Sequence, residues 1–243
     1  MPRAGLCPNL VAAMTTRSGR LTQRARERLA VGELLQAKTL THAALLDGPD
    51  LEAVNTLATI EVRLGETARA ELLFRRGIEL DPASHKPHAN LATLLGNQGR
   101  LGEAIAHARR AAALAPEHPR FRVQLARWLL QAGDPNGAEA ALDGVQQAPG
   151  AEALLDSLRA AISTRRGALS AAREHLDAAR ARSTSPDLDA LLDDVRLRWA
   201  MHDLDDAAAL AAELSRSEPA SSSAMELDVL LRDARAPASP ARR

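Results

Sequence analysis

The side chains of this chain that could do chemistry are few and poorly grouped. His85-Lys86-Pro87-His88 holds two histidines three positions apart, the beginning of a zinc-ligand pattern. No cysteine or carboxylate motif completes it, and His88 falls on the packing face of a helix start, which predicts a core residue. Cys7 is the only cysteine. It lies in a stretch expected to be disordered, and no histidine or asparagine partner can be assigned to activate it. The acidic cluster Asp187, Asp189, Asp193 and Asp194 lacks the glycine and closing glutamate of a calcium loop. It reads as the acid-rich first turn of a helix, favoured by the helix dipole. No glycine-rich loop runs into Lys-Ser or Lys-Thr, so there is no phosphate cradle of that kind. The expectation is a protein with no catalytic residues, no cofactor and no metal.

What the chain does have is a period. Gly65, Gly99, Gly133 and Gly167 are evenly spaced, and a constant step of about 34 residues predicts stacked copies of one small unit. Aligned on these glycines, Leu51–Ser84, His85–His118 and Pro119–Glu152 each hold two apolar helical patterns around the glycine. In the middle copy His88, Leu91, Ala92 and Leu95 fall at i, i+3, i+4 and i+7, one face of a helix. Gly99 follows at a C-cap position. Ala104, Ala108 and Ala111 share a face of the second helix, and Pro116 marks its stop. Pro135 sits just inside the second helix of the third copy, where its missing N–H is not needed. The first copy repeats the plan with Val54, Leu57 and Ala58, then Ala70, Phe74 and Gly77, then Pro82. Ala70, Ala104 and Ala138 recur in register, and a small side chain there lets paired helices approach closely.

On these residues the chain resembles the tetratricopeptide-repeat family, whose repeat has about 34 residues and the pattern W-x2-L-G-x2-Y…A-x3-F…P. Leu57, Leu91 and Leu125, the three alanines, Pro82 and Pro116 carry the match. The aromatic positions depart from it. His88 stands where the family prefers Trp, Leu95 and Leu129 where it prefers Tyr, and Glu61 is a poorer replacement at the same place. The chain has no Tyr and two Phe, so it reads as an aliphatic, alanine-rich version with thinner packing per repeat.

The resemblance implies an all-α, right-handed superhelical solenoid of helix pairs with a C-terminal capping helix. Repeats are expected at about 18–50, 51–84, 85–118, 119–152, 153–187 and 188–221. A cap helix over 222–235 would cover the last apolar face. Residues 1–17 and 236–243 are expected to be disordered tails, and Met14 offers an alternative start.

Composition bounds the setting. The chain of 243 residues has a formal net charge of zero, so bulk attraction to nucleic acid or to an anionic membrane is not expected. Acids outnumber bases from Asp187 onward, and the balance reverses over Met1–Asp50. The beginning is a poor signal peptide, broken by Pro8-Asn9. No run approaches the roughly 18 apolar residues of a membrane span. With a single cysteine there is no disulfide framework. The expected location is the cytoplasm.

In the family, the first helices of successive repeats line a concave groove that holds a partner segment. Carried over by position, the resemblance implies a groove of Asn55, Thr59, Arg63, Lys86, Asn90, Thr93, Asn97, Arg120, Gln124, Arg127 and Gln131, with Arg165 extending the row. Lys86, Asn90, Thr93 and Asn97 are spaced at i, i+4, i+7 and i+11, opposite the packing stripe. Arg63, Lys86, Arg120, Arg127 and Arg165 are cationic and none of the row is acidic. Asn90 and Arg120 match a carboxylate clamp of the kind that binds chaperone tails, while Asn55, Thr59 and Gln124 depart from it.

The function expected is therefore a non-enzymatic scaffold or adaptor whose groove binds an extended, acidic or carboxylate-ended protein segment. An alternative is the repeat portion of, or an accessory subunit to, a bacterial multidomain enzyme such as a sulfotransferase, glycosyltransferase or hydroxylase. The chain ends just after its cap pattern, so that catalytic domain would be absent or encoded elsewhere. A third reading is head-to-tail assembly through the acidic end and the basic start. Homo-oligomerisation is not otherwise indicated.

Overall fold

The computed structural model describes residues 8–143, 145, 152–182 and 197–198. Among them every regular element is a helix. In order these are α1 (Pro8–Ala30), α2 (Leu34–Leu45), α3 (Leu51–Arg63), α4 (Thr67–Leu80), α5 (His85–Asn97), α6 (Leu101–Leu114), α7 (Pro119–Gln131), α8 (Pro135–Leu142), α9 (Glu152–Arg165) and α10 (Leu169–Arg182). The contacts divide the chain into two compact units, Met1–Trp128 and Leu129–Arg243. In the first, α1 pairs with α2, α3 with α4 and α5 with α6, while α3 also touches α1 and α5. In the second, α9 pairs with α10, and α8 touches α9.

The glycine period builds the corners. At the end of α5 the Gly99 N–H donates to the Gly96 carbonyl at 2.9 Å, and the Arg100 N–H donates to the Leu95 carbonyl at 3.0 Å. This paired closure needs a left-handed residue between helix and loop. Gly99 supplies it with φ of 77°, where a Cβ would be strained. Gly32 makes the same turn, with φ of 83°. It stands one position short of a full repeat before Gly65, a signal that alignment on the four evenly spaced glycines passes over.

One boundary is corrected. The tail expected over 1–17 is helical from Pro8, where α1 begins. Residues 1–7 lie outside the described part. So do the expected sixth repeat and cap, apart from Leu197 and Arg198.

The packing follows the alanine column. Ala37, Ala70, Ala104, Ala138 and Ala172 are all 0% exposed, each from the second helix of its pair. Within the first unit Phe74, Leu91 and Leu95 cluster with Ala70 and Ala104. Truncating a fully buried Phe such as Phe74 would cost about 3–5 kcal/mol.

The departures from the aromatic pattern have local answers. Glu61, at a family Tyr position, is 3% exposed and pairs with Lys38 Nζ of α2 at 2.9 Å. A carboxylate can sit there because a cation from the preceding pair reaches it. His88, at a family Trp position, is buried, and its Nδ1 lies 3.0 Å from Nδ1 of His107 on α6. One ring donates and the other accepts, so at least one of the two carries its hydrogen on Nδ1. Gly96 makes room for a large ring instead: an added Cβ would lie 2.6 Å from the Trp128 indole.

In the second unit the Asp134 side chain caps α8 by accepting from the Gly137 N–H at 2.8 Å. Arg166 reaches back to Asn136 at 3.1 Å. Asp156, buried on α9, pairs with Arg182 of α10. Ala160, Ala172, Leu176 and Leu197 form one apolar cluster.

Candidate partner-binding surface

The candidate surface lies on the first unit, where α3, α5 and α7 bring polar residues together. Their apolar stripes are turned inward: Leu57, Ala58, Leu91, Ala92, Leu125 and Ala126 are all buried. The polar row follows on the other side of each helix because side chains spaced four and then three positions apart share a face.

Cross-helix hydrogen bonds tie the row into a ladder. The Asn90 Nδ2 donates to Asn55 Oδ1 at 3.0 Å, joining α5 to α3. The Gln124 Nε2 donates to Thr93 Oγ1, joining α7 to α5. Thr59 and Thr93 donate back to the carbonyls of Asn55 and Ala89 at 2.9 and 3.0 Å. After these bonds Asn90 still has a side-chain oxygen and a second N–H to offer. Asn97 and Arg127 are exposed.

The cations do not all stand as the sequence implies. Lys86 pairs with Glu52 of α3, and Arg26 of α1 approaches the same carboxylate at 3.1 Å. The Arg63 Nη1 donates to the Leu29 carbonyl at 2.8 Å, so it closes the end of α1. Arg120 lies over the Phe121 ring at 4.7 Å and remains exposed. Arg127 has no partner among the described residues. The row is therefore less basic than its composition suggests. Glu52 is the member that sequence reasoning missed, although it stands one full repeat before Lys86, which stands one full repeat before Arg120. The repeat register alone places an acid in that column. Gln131 and Arg165, both exposed, belong to the second unit.

A histidine cluster borders Arg120. His85 stands 5.1 Å from the Phe121 ring and 5.6 Å from His118. Burial holds the His85 ring below its ordinary pKa, and the closeness of His118, Arg120 and Lys86 adds to that. His88 is pushed down to about 4, chiefly by burial and then by His107. Both rings are neutral near pH 7, so neither adds charge to the surface. Among the described residues no group of three or more His, Cys, Asp or Glu could hold a metal ion. No described helix is long and apolar enough to cross a membrane.

Helix pairs joined at left-handed glycines, with a polar ladder on successive first helices, define a helical repeat protein. Profiles described as "Tetratricopeptide repeat" match residues 22–85, 73–106 and 97–162, and the chain belongs to that family. The human protein named "Tetratricopeptide repeat protein 8" is 34% identical over 67 residues, which is 28% of this chain and 12% of that protein. Among solved structures, Pseudomonas aeruginosa PilF aligns with a TM-score of 0.72 at 23% identity, over 90% of this chain and 99% of that one. PilW, described as a widely conserved type IV pilus biogenesis factor, aligns with a TM-score of 0.77 at 22% identity, over 86% and 97%. YrrB, described as having an unusual peptide-binding site, aligns with a TM-score of 0.59 at 14% identity, over 78% and 97%. At these identities the likeness is one of fold.

Proposed function

We propose that this chain is a non-enzymatic interaction scaffold, and that α3, α5 and α7 of the first unit bind an extended protein segment. The observation that carries the reading is the polar ladder Asn55–Asn90 and Thr93–Gln124, with two exposed arginines, Arg120 and Arg127, at its α7 end. Side-chain amides held in place by neighbours suit the backbone of an extended strand, because little further ordering is needed on binding. The arginines suit a carboxylate, from an acidic side chain or a chain end. Charge-assisted hydrogen bonds of this kind contribute roughly 1.5–3 kcal/mol each. A cytoplasmic setting fits the single cysteine.

Affinity capture followed by mass spectrometry identifies partners, and fluorescence polarisation with an acidic, carboxylate-ended peptide from one of them measures binding. Arg120→Glu with Arg127→Glu is expected to weaken binding by at least about 100-fold, two lost charge-assisted bonds, with helicity unchanged. Affinity should also fall as salt rises, since exposed charges are screened over about 8–10 Å. Unchanged binding by the double variant overturns the reading.

A further inference from the structure

The outward face of α1 carries a charge pattern that the ladder does not use. α1 holds five arginines and a single acid, Glu27, which accepts from the Gln23 side chain at 3.2 Å. Arg20, Arg24 and Arg28 lie at i, i+4 and i+8, so they share one side of the helix. All three are exposed. Arg17, one turn earlier, joins them, and the stripe from Arg17 to Arg28 is about 16 Å long.

The repeat register shows what this side of a first helix ordinarily does. The step from Gly65 to Gly32 carries Ala53, Leu57 and Glu61 of α3 onto Arg20, Arg24 and Arg28. Those three α3 residues are 0%, 4% and 3% exposed, and Glu61 meets Lys38 of α2 at 2.9 Å. In α3 this side therefore packs against the preceding helix pair. In α1 the same side faces solvent, and its residues are cationic. A solenoid needs only a polar outer face at its end. Mixed charges would serve, whereas a run of one sign repels itself and draws an opposite partner.

Internal pairs leave much of this charge uncompensated. Arg28 meets Glu33 at 2.8 Å, and Arg17 approaches Asp47 at 3.8 Å with its side chain 66% exposed. Arg26 is engaged by Glu52 of α3. Arg20 and Arg24 have no partner among the described residues. Val31, seven positions after Arg24 on the same side, is 70% exposed and offers an apolar contact at the edge of the stripe.

The complement lies in the same chain. The whole sequence is neutral, yet Asp187–Asp206 holds seven aspartates against two arginines. Most of that run falls in the repeat expected over 188–221. Its carboxylates thus belong to a segment in the register of the helix pairs that such a side receives.

We propose that the outward face of α1 binds the acidic segment Asp187–Asp206 of a second copy of this chain. Two different surfaces meet in such a contact, so copies add head to tail. The proposal is independent of the ladder reading, since it uses none of Asn90, Arg120 or Arg127.

The test is sedimentation velocity of the full-length chain over a range of concentrations. At low salt the weight-average mass should rise with concentration. In about 1 M salt, where charges act over about 3 Å, the chain should return to a monomer. Arg20→Glu with Arg24→Glu should weaken association at least about tenfold, with helicity unchanged because both side chains are exposed. Asp193→Arg with Asp194→Arg should weaken it as much. An equimolar mixture of these two variants should associate again, because each surface then meets its opposite charge. Asp193→Asn with Asp194→Asn, weaker by at least about threefold, serves if the arginine version does not fold. A monomer at every concentration, association that survives high salt or the α1 reversal, or a mixture that stays monomeric overturns the proposal. A monomeric chain that instead captures anionic vesicles or an oligonucleotide through Arg20 and Arg24 overturns it as well.

Discussion

The two ends of the α3–α5–α7 face carry the same kinds of residue and use them differently. At the α3 end the cations are engaged by the protein. Arg63 closes α1, Lys86 meets Glu52, and on the adjoining pair Lys38 holds the buried Glu61. At the α7 end Arg120 and Arg127 are exposed, and Arg127 has no partner among the described residues. A row of basic residues therefore measures binding potential only after the internal pairs are subtracted. A cation held by a neighbouring carboxylate is a structural element, and only its uncompensated neighbour attracts a ligand.

The sharpest way to break this contrast is at Lys38. Lys38→Met leaves Glu61 buried without its cation, and urea unfolding should show a loss of about 3 kcal/mol. Replacing both, with Lys38→Met and Glu61→Tyr, should recover most of it by restoring the family's aromatic residue. A double variant no more stable than Lys38→Met alone would mean the pair is not what Glu61 requires.

The histidines provide the next effect, through pH. His88 has a folded pKa of about 4 against an ordinary value near 6.5. Between these values the unfolded chain binds a proton that the folded chain refuses, so stability falls as pH falls from about 6.5 toward 4. The loss for His88 should be on the order of 2–3 kcal/mol. His88→Leu should flatten that part of the stability–pH curve, and an unchanged slope would remove His88 as its cause.

A smaller effect is expected at the α7 side of α5. Gly96→Ala places a methyl group against the Trp128 ring, and overpacking of this kind costs roughly 1–3 kcal/mol. Tryptophan fluorescence should shift with the displaced ring, and an unmoved spectrum with full stability would show that the indole can give way freely.

The smallest effects test the face itself. Lys86→Met should cost less than about 1 kcal/mol, since its pair with Glu52 is partly exposed. Arg127→Met should change stability by no more than about 0.5 kcal/mol. A large loss at Arg127, measured by thermal melting, would make it structural and erase the difference between the two ends.

Much of this fold is legible in the chain because its signals are local. A glycine with a left-handed backbone, a proline at a helix start and a small residue where two helices touch each act within a few positions of themselves. The regular glycine step therefore locates Gly65, Gly99, Gly133, Gly167 and the alanine column before any coordinates. The same register contains two further signals, Gly32 and the acid Glu52 in the column of Lys86 and Arg120, that a search for identical glycines and for cations does not pick up. Other features have no such signal. The start of α1 at Pro8 lies ahead of the first residue that the repeat register reaches.

Backbone preference and periodicity are written in the order of the residues, and they suffice for the class of fold, the turns and the stripe that packs. Which polar side chains meet is a matter of three dimensions. The pairs Lys38–Glu61, His88–His107, Arg63–Leu29 and Asn90–Asn55 join residues on different helices. Their energies depend on distance and burial, which a one-dimensional pattern does not contain.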